Sequence, residues 1–232
     1  PNDATSLVYR RLAAAAASPL AKLRLRFDSC LLERFECAYY GAFSKILVVS
    51  EADRDYLVRR VPGIDVEVIP ISSGYPRDIS LAYTAAGSPH GLTVTVCGNL
   101  GDAAIAAGFR QFLDHVLPAV STVHPELRVR ILGRRIDAAL KRDLRRYPNV
   151  DYVAWIPDFE ACLSSSDVLL LPDQAGAPGA KTRTVQAMAL GRAVLGTQTA
   201  FEGIPMTPGQ HGMIYTSIEE CREGLLRLLG DR

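Results

Sequence analysis

The sequence predicts an α/β protein built on a doubly wound parallel sheet, and three observations carry that expectation. Short apolar runs of strand length alternate with longer segments of helical periodicity along nearly the whole chain. The short runs are continuously apolar, as in strands buried on both faces. The turns that follow them are rich in glycine and small residues, where sheets of this kind bind ligands.

The elements follow in order. Residues from about Ala4 to Ala17 read as a helix stopped by Ser18-Pro19, and Leu20 to Phe43 as a longer one. In the longer helix Leu20, Leu23, Phe27, Leu31 and Phe35 recur at three and four residues, which gives one apolar face. Lys45 to Ser50 is a short strand. Ser50-Glu51-Ala52-Asp53 then supplies a cap and first-turn acids for a helix through Arg60. Val66 to Pro70 is the next strand. From Ile71 to Gly91 the pattern dissolves into Ser, Gly, Pro and Tyr, the composition of an interdomain linker.

A regular series follows. Strands are expected at 92–97, 127–132, 150–154, 168–171 and 193–196. Helices are expected at 103–123, 137–146, 159–165, 182–190 and 218–229. The expected organisation is an incomplete first domain at 1–75, a linker at 76–91 and a Rossmann-like domain at 92–232. The pattern opens inside a domain at Pro1, and the chain is expected to be a piece of a longer protein.

Composition narrows the function classes. The 232 residues are 48% hydrophobic and 22% charged, with a net charge of +1, which gives no general reason to expect nucleic acid as a partner. The five cysteines are scattered and lack CxxC or CxxH spacing, so a disulfide framework or zinc site is not expected and a reducing, cytoplasmic compartment is. The histidines (His90, His115, His124, His211) are isolated, and no metal site is expected. No apolar run approaches a membrane span, and the alanine tract Ala13 to Ala17 is too short for a secretory signal. The basic cluster Lys22 to Arg26 has two readings, a solvated helix face or a contact with anionic lipid.

The strand-end turns give the candidate site. Gly98-Asn99 follows the first strand after the linker, Gly133-Arg134 the second and Trp155-Ile156-Pro157 the third. The fourth is followed by Pro172-Asp173-Gln174 and a Gly/Ala/Pro loop ending at Lys181-Thr182. Small residues there let backbone approach a ligand, and the helix starting near Thr182 points free N–H groups at the loop. With Lys181 this suits a diphosphate; a solvated loop with a surface lysine is the rival reading. Trp155, beside a strand end, has two readings, a core residue and a stacking platform, of which the first is the more common.

The stretch from Gly179-Ala180-Lys181-Thr182-Arg183 through Gln186 and Gly191 to Thr197, continuing to Gly203, resembles the signature of group 1 glycosyltransferases. Val48 to Leu57 and Val66 to Pro70 resemble the end of that family's first domain. Pro148 to Asp158 and Ser166 to Pro172 resemble the middle of its second. The resemblance implies a GT-B architecture, with two Rossmann-like domains and a cleft between them. It also implies retaining, metal-independent transfer of a hexose from a nucleotide diphosphate sugar to a saccharide or lipid-linked acceptor, with no cofactor beyond the donor itself.

By the same resemblance Gly98, Asn99, Gly179, Lys181, Thr182 and Arg183 hold the diphosphate and sugar, and Gly133, Arg134, Trp155 and Gln186 the nucleoside. A lipid-linked acceptor implies a peripheral place at the inner membrane face. The chain departs from the family pattern at Pro178 and Gln186, where glutamates are usual, and after the first strand, where an arginine and a lysine are common and Arg110 is the nearest cation here. Those departures define the rival reading, a degenerate module that binds a partner subunit.

Overall fold

The computed structural model describes residues 3–16, 18–75, 91–101, 103–133, 135–174 and 182–230. They divide into two compact units. One holds the chain up to Ile71 together with Glu202–Pro205, and the other holds Ser72–Gln174, Thr182–Phe201 and the chain from Met206.

The first unit is a helical hairpin on a small parallel sheet. Helices α1 (Thr5–Ala15) and α2 (Pro19–Tyr39) precede strand β1 (Ile46–Val48), helix α3 (Glu51–Arg60) and strand β2 (Val66–Val68). β1 and β2 pair in parallel, with Ile46 opposite Val66. Ser50 caps α3, its hydroxyl accepting from the Asp53 amide at 3.1 Å, and Asp53 in turn accepts from the Ala4 amide at 3.0 Å. Two neighbouring side chains thus fix a helix start and anchor the beginning of α1.

The two long helices meet through polar groups. Glu36 is 2% exposed and accepts from both the amide and the hydroxyl of Ser6; that hydroxyl lies 3.1 Å from the Tyr56 oxygen, and Ser29 donates to the Ser6 carbonyl at 2.9 Å. Buried polar groups cost little when every one is bonded, so this network fixes the helix register. The apolar face expected on α2 is present but turned outward: Leu20 is 77% and Phe27 63% exposed, and Leu23, Leu31, Phe35 and Tyr39 are also exposed.

The second unit carries a six-stranded parallel sheet in the order β5-β4-β3-β6-β7-β8. Its strands are β3 (Thr93–Cys97), β4 (Arg128–Leu132), β5 (Val150–Val153), β6 (Val168–Leu171), β7 (Ala193–Gly196) and β8 (Met213–Ile214). β8 has only two residues, too short for a periodicity signal, and the sequence gives no expectation of it. All five residues of β3 and all four of β6 are buried, as central parallel strands require.

The crossovers place helices along the sheet. α4 (Ala103–Gln111) runs through a π-turn at Phe112–Val116 into α5 (Leu117–Val123). Pro118 has no amide to give the carbonyl one turn back, and the widened turn absorbs that loss. Phe109, Phe112, Leu113 and Leu117 from this segment are wholly buried or nearly so. α6 (Ala138–Asp143) and α7 (Phe159–Ser164) start at Asp137 and Asp158, which accept from the Leu140 and Ala161 amides at 2.6 and 2.8 Å. α8 (Thr182–Ala189) leads into β7, and α9 (Ile218–Gly230) follows β8.

Candidate functional site

Three neighbouring strands end side by side, and their turns build a cavity. β3 ends at Cys97 and passes into Gly98-Asn99, β4 into Gly133, and β5 into Ala154-Trp155-Ile156. The cavity has a volume of about 690 Å³, within the range of small-molecule sites. Gly98, Asn99, Gly133, Arg135, Trp155 and Arg183 line it together with apolar residues that include Phe159 and Ile156.

Glycine is needed where these turns converge. A Cβ on Gly133 would sit 2.4 Å from the Gly98 carbonyl oxygen, so the second turn can lie against the first only without a side chain. Hydrogen bonds hold the stagger: the Gly98 amide donates to the Leu132 carbonyl at 3.0 Å, and the Tyr152 side-chain hydroxyl to the Gly133 carbonyl at 2.9 Å. Backbone and cavity meet closely at this edge.

The deep end of the cavity is electrostatically paired. Arg183, in the first turn of α8, donates through Nη2 to Asp173, whose carboxylate is fully buried just beyond β6. The Arg183 Nε is buried and finds no hydrogen-bond partner among the described residues. Cys97 lies close by; burial pushes its thiol up to about 12, against a smaller opposing pull from the Arg183 charge. The thiol stays protonated at neutral pH and acts as an apolar wall.

Among the residues expected at the site, Gly98, Asn99, Gly133, Trp155 and Arg183 come together around the cavity. Gly179, Lys181 and Arg134 lie outside the described residues. Thr182 opens α8, and Gln186, one turn further along it, is half-buried and does not line the cavity. Trp155 is 66% exposed and faces the cavity, not the core, because β5 has already ended and its turn leads the chain away from the sheet. Arg110 is engaged elsewhere, paired with Asp137 at 2.9 Å. His211 accepts from the Thr207 amide within its own loop, and Glu202 pairs with Arg11 at 2.7 Å in the first unit.

Arg135 was missed. The sequence shows two adjacent arginines after Gly133, and the strand-end reading stopped at the first of them; Arg135 lines the cavity. No group of metal-ligating side chains occurs among the described residues, and none of their helices is long and apolar enough to cross a membrane.

Comparison with known proteins gives a consistent picture. A family profile described as "Glycosyl transferases group 1" matches residues 91–231. No curated protein matches the sequence. Among solved structures, sucrose-phosphate synthase from Thermosynechococcus elongatus is similar with a TM-score of 0.67 and 18% identity, over 96% of this chain and 57% of that one. A point variant of TarM from S. aureus, in complex with Fondaparinux, alpha-GlcNAc-glycerol and UDP, has a TM-score of 0.67 and 11% identity, over 87% of this chain and 40% of that one. Anabaena Alr3699/HepE with UDP-glucose has a TM-score of 0.59 and 18% identity, over 86% and 57%. The chain therefore spans roughly half the length of these structures, and the likeness is one of fold.

Proposed function

Because the chain belongs to the group 1 glycosyl transferases, we propose that it holds a nucleotide diphosphate sugar in the cavity at the ends of β3, β4 and β5, as the donor half of a hexose transferase. The observation that carries this reading is the convergence of the Gly98 and Gly133 turns with Arg183 on one cavity at the carboxyl edge of a parallel sheet. The bare glycine turns let a ribose or phosphate approach the backbone closely, and the Arg183 guanidinium lines the same cavity.

The acceptor is a saccharide or a lipid-linked sugar, and transfer proceeds with retention and without a metal, since fixed dipoles and cations stabilise a leaving diphosphate. The outward apolar face of α2 carries exposed Arg24 and Arg34 beside it, which supports contact with an anionic membrane surface, as a lipid-linked acceptor requires. Flotation with phosphatidylglycerol vesicles tests that contact; a chain that stays at the bottom of the gradient refutes it.

Calorimetric titration with UDP, GDP, ADP and their hexose derivatives tests the donor reading. Binding of one nucleotide near one-to-one stoichiometry, lost in Gly133→Val, supports it. A folded chain that binds none of them refutes it and favours a partner-binding module, a reading that the prior pairing of Arg183 with Asp173 supports.

A further inference from the structure

Lys181 and Arg183 are the cations that sequence reasoning assigns to the donor; Lys181 lies outside the described residues, and the charge of Arg183 is already matched. Asp173 is fully buried against it, and a buried carboxylate leaves little net positive potential at that end of the cavity. A second arginine lines the same cavity under different conditions. Arg135 is exposed, and no ion pair involves it among the described residues.

The backbone at Arg135 is unusual. Its φ is +60°, in the left-handed region, and it is the non-glycine residue that adopts a positive φ among those described. Local steric preference opposes that conformation, so surrounding structure must hold it. Room for its side chain comes from the neighbouring turn. A Cβ on Gly101 would lie 2.9 Å from the Arg135 Cβ and 3.4 Å from its Cδ, so the bare glycine leaves room for the aliphatic stem of Arg135. Asn99 in turn shapes that turn, its Oδ1 accepting from the Gly101 amide at 3.3 Å. The turn after β3 therefore cradles the arginine carried by the turn after β4.

The geometry points to Arg135 as a cation that holds the donor's diphosphate, with Arg183 serving to tie the start of α8 to Asp173 at the end of β6. The assignment rests on the donor reading of this cavity. It follows from the distribution of charge among the described residues: one guanidinium is neutralised and partly buried, the other has no acidic partner and lines the cavity at a conformational cost. Arg135 is also placed where a mobile donor can reach it from solvent, and its planar fork suits two phosphate oxygens at once.

The test compares UDP, GDP and ADP with uridine, guanosine and adenosine by calorimetry on the full chain. The variants are Arg135→Gly and Arg135→Asn, both of which tolerate the left-handed backbone without the charge. In the native chain the diphosphate of the preferred base binds more tightly than its nucleoside. In both variants the diphosphate affinity is expected to fall about tenfold to a hundredfold, the span of a charge-assisted bond to phosphate. Nucleoside affinity should stay within about twofold, and the melting temperature should be unchanged or higher.

A diphosphate-to-nucleoside ratio that stays at the native value in both variants overturns the assignment. Equal loss of nucleoside and diphosphate also overturns it, since that shows a collapsed turn and not a missing charge. A native chain that binds no nucleotide refutes the donor reading itself, and the assignment falls with it.

Discussion

The Arg183 guanidinium donates to the fully buried carboxylate of Asp173 across the gap between the end of β6 and the start of α8. The pair ties a sheet edge to the helix that follows it. Asp173 also accepts from the Thr197 hydroxyl through its backbone carbonyl, so β7 joins the same knot. Removing one partner leaves a charge with little solvent. Asp173→Asn is expected to lower unfolding stability by about 3 kcal/mol, the low end for a broken buried pair because Arg183 keeps some exposure. The double variant Asp173→Asn/Arg183→Gln should lose clearly less than the sum of the single losses. Urea unfolding of all four chains measures this, and strict additivity would contradict the coupling.

Gly108 opposes helix propensity to packing. It lies inside α4, where alanine is worth about 1 kcal/mol more than glycine on propensity alone. A Cβ there would sit 1.7 Å from the Pro172 carbonyl oxygen, a contact with backbone that cannot swing aside. Packing wins by this comparison. Gly108→Ala is expected to cost more than about 3 kcal/mol or to yield insoluble protein. A stabilised variant would show that α4 does not sit against the end of β6.

The outward face of α2 predicts the opposite behaviour. Phe27 and Leu31 are exposed, so Phe27→Glu and Leu31→Glu should each change stability by no more than about 0.5 kcal/mol. The same change at the buried Leu57 should prevent folding. Thermal melts and soluble yield separate the cases. A large loss at Phe27 would place that ring in a core.

The cysteines predict a pH dependence. Burial pushes both Cys97 and Cys221 up to about 12 from an ordinary 9.0. Above pH 9 the unfolded chain releases protons that the folded chain keeps, so these thiols add stability below pH 9 and lose it as pH rises toward 12. The melting temperature should fall from about pH 8.5 to about 10.5, and less steeply in Cys97→Ala/Cys221→Ala. At about pH 8 a thiol reagent should modify the exposed Cys30 and Cys37 and leave Cys97 and Cys221 untouched until the chain is unfolded.

Much of the fold was legible because it rests on local signals. The continuous apolar runs at Thr93 to Cys97 and Val168 to Leu171 are strands buried on both faces, and Ser50 caps the helix that follows it. The turn glycines Gly98 and Gly133 were legible as strand-end residues of a parallel sheet. Trp155 was misread as core because an aromatic beside a strand is usually packed, and a turn that leaves the sheet carries no signal of its own direction. The outward face of α2 was likewise hidden: periodicity shows that apolar residues share a face, and says nothing of what lies opposite.

The sequence by itself determined the order and type of nearly every element, the parallel sheet and the strand-end turns that line its cavity. Those follow from side-chain periodicity, capping and turn chemistry, all of which act over a few residues. Only the tertiary structure decided which charges are spent and which are available. Asp173 neutralises Arg183, ten positions further along the chain, and Gly101 makes room for Arg135 from a different turn. Charge pairing and steric room depend on distances between segments, and those are set by packing.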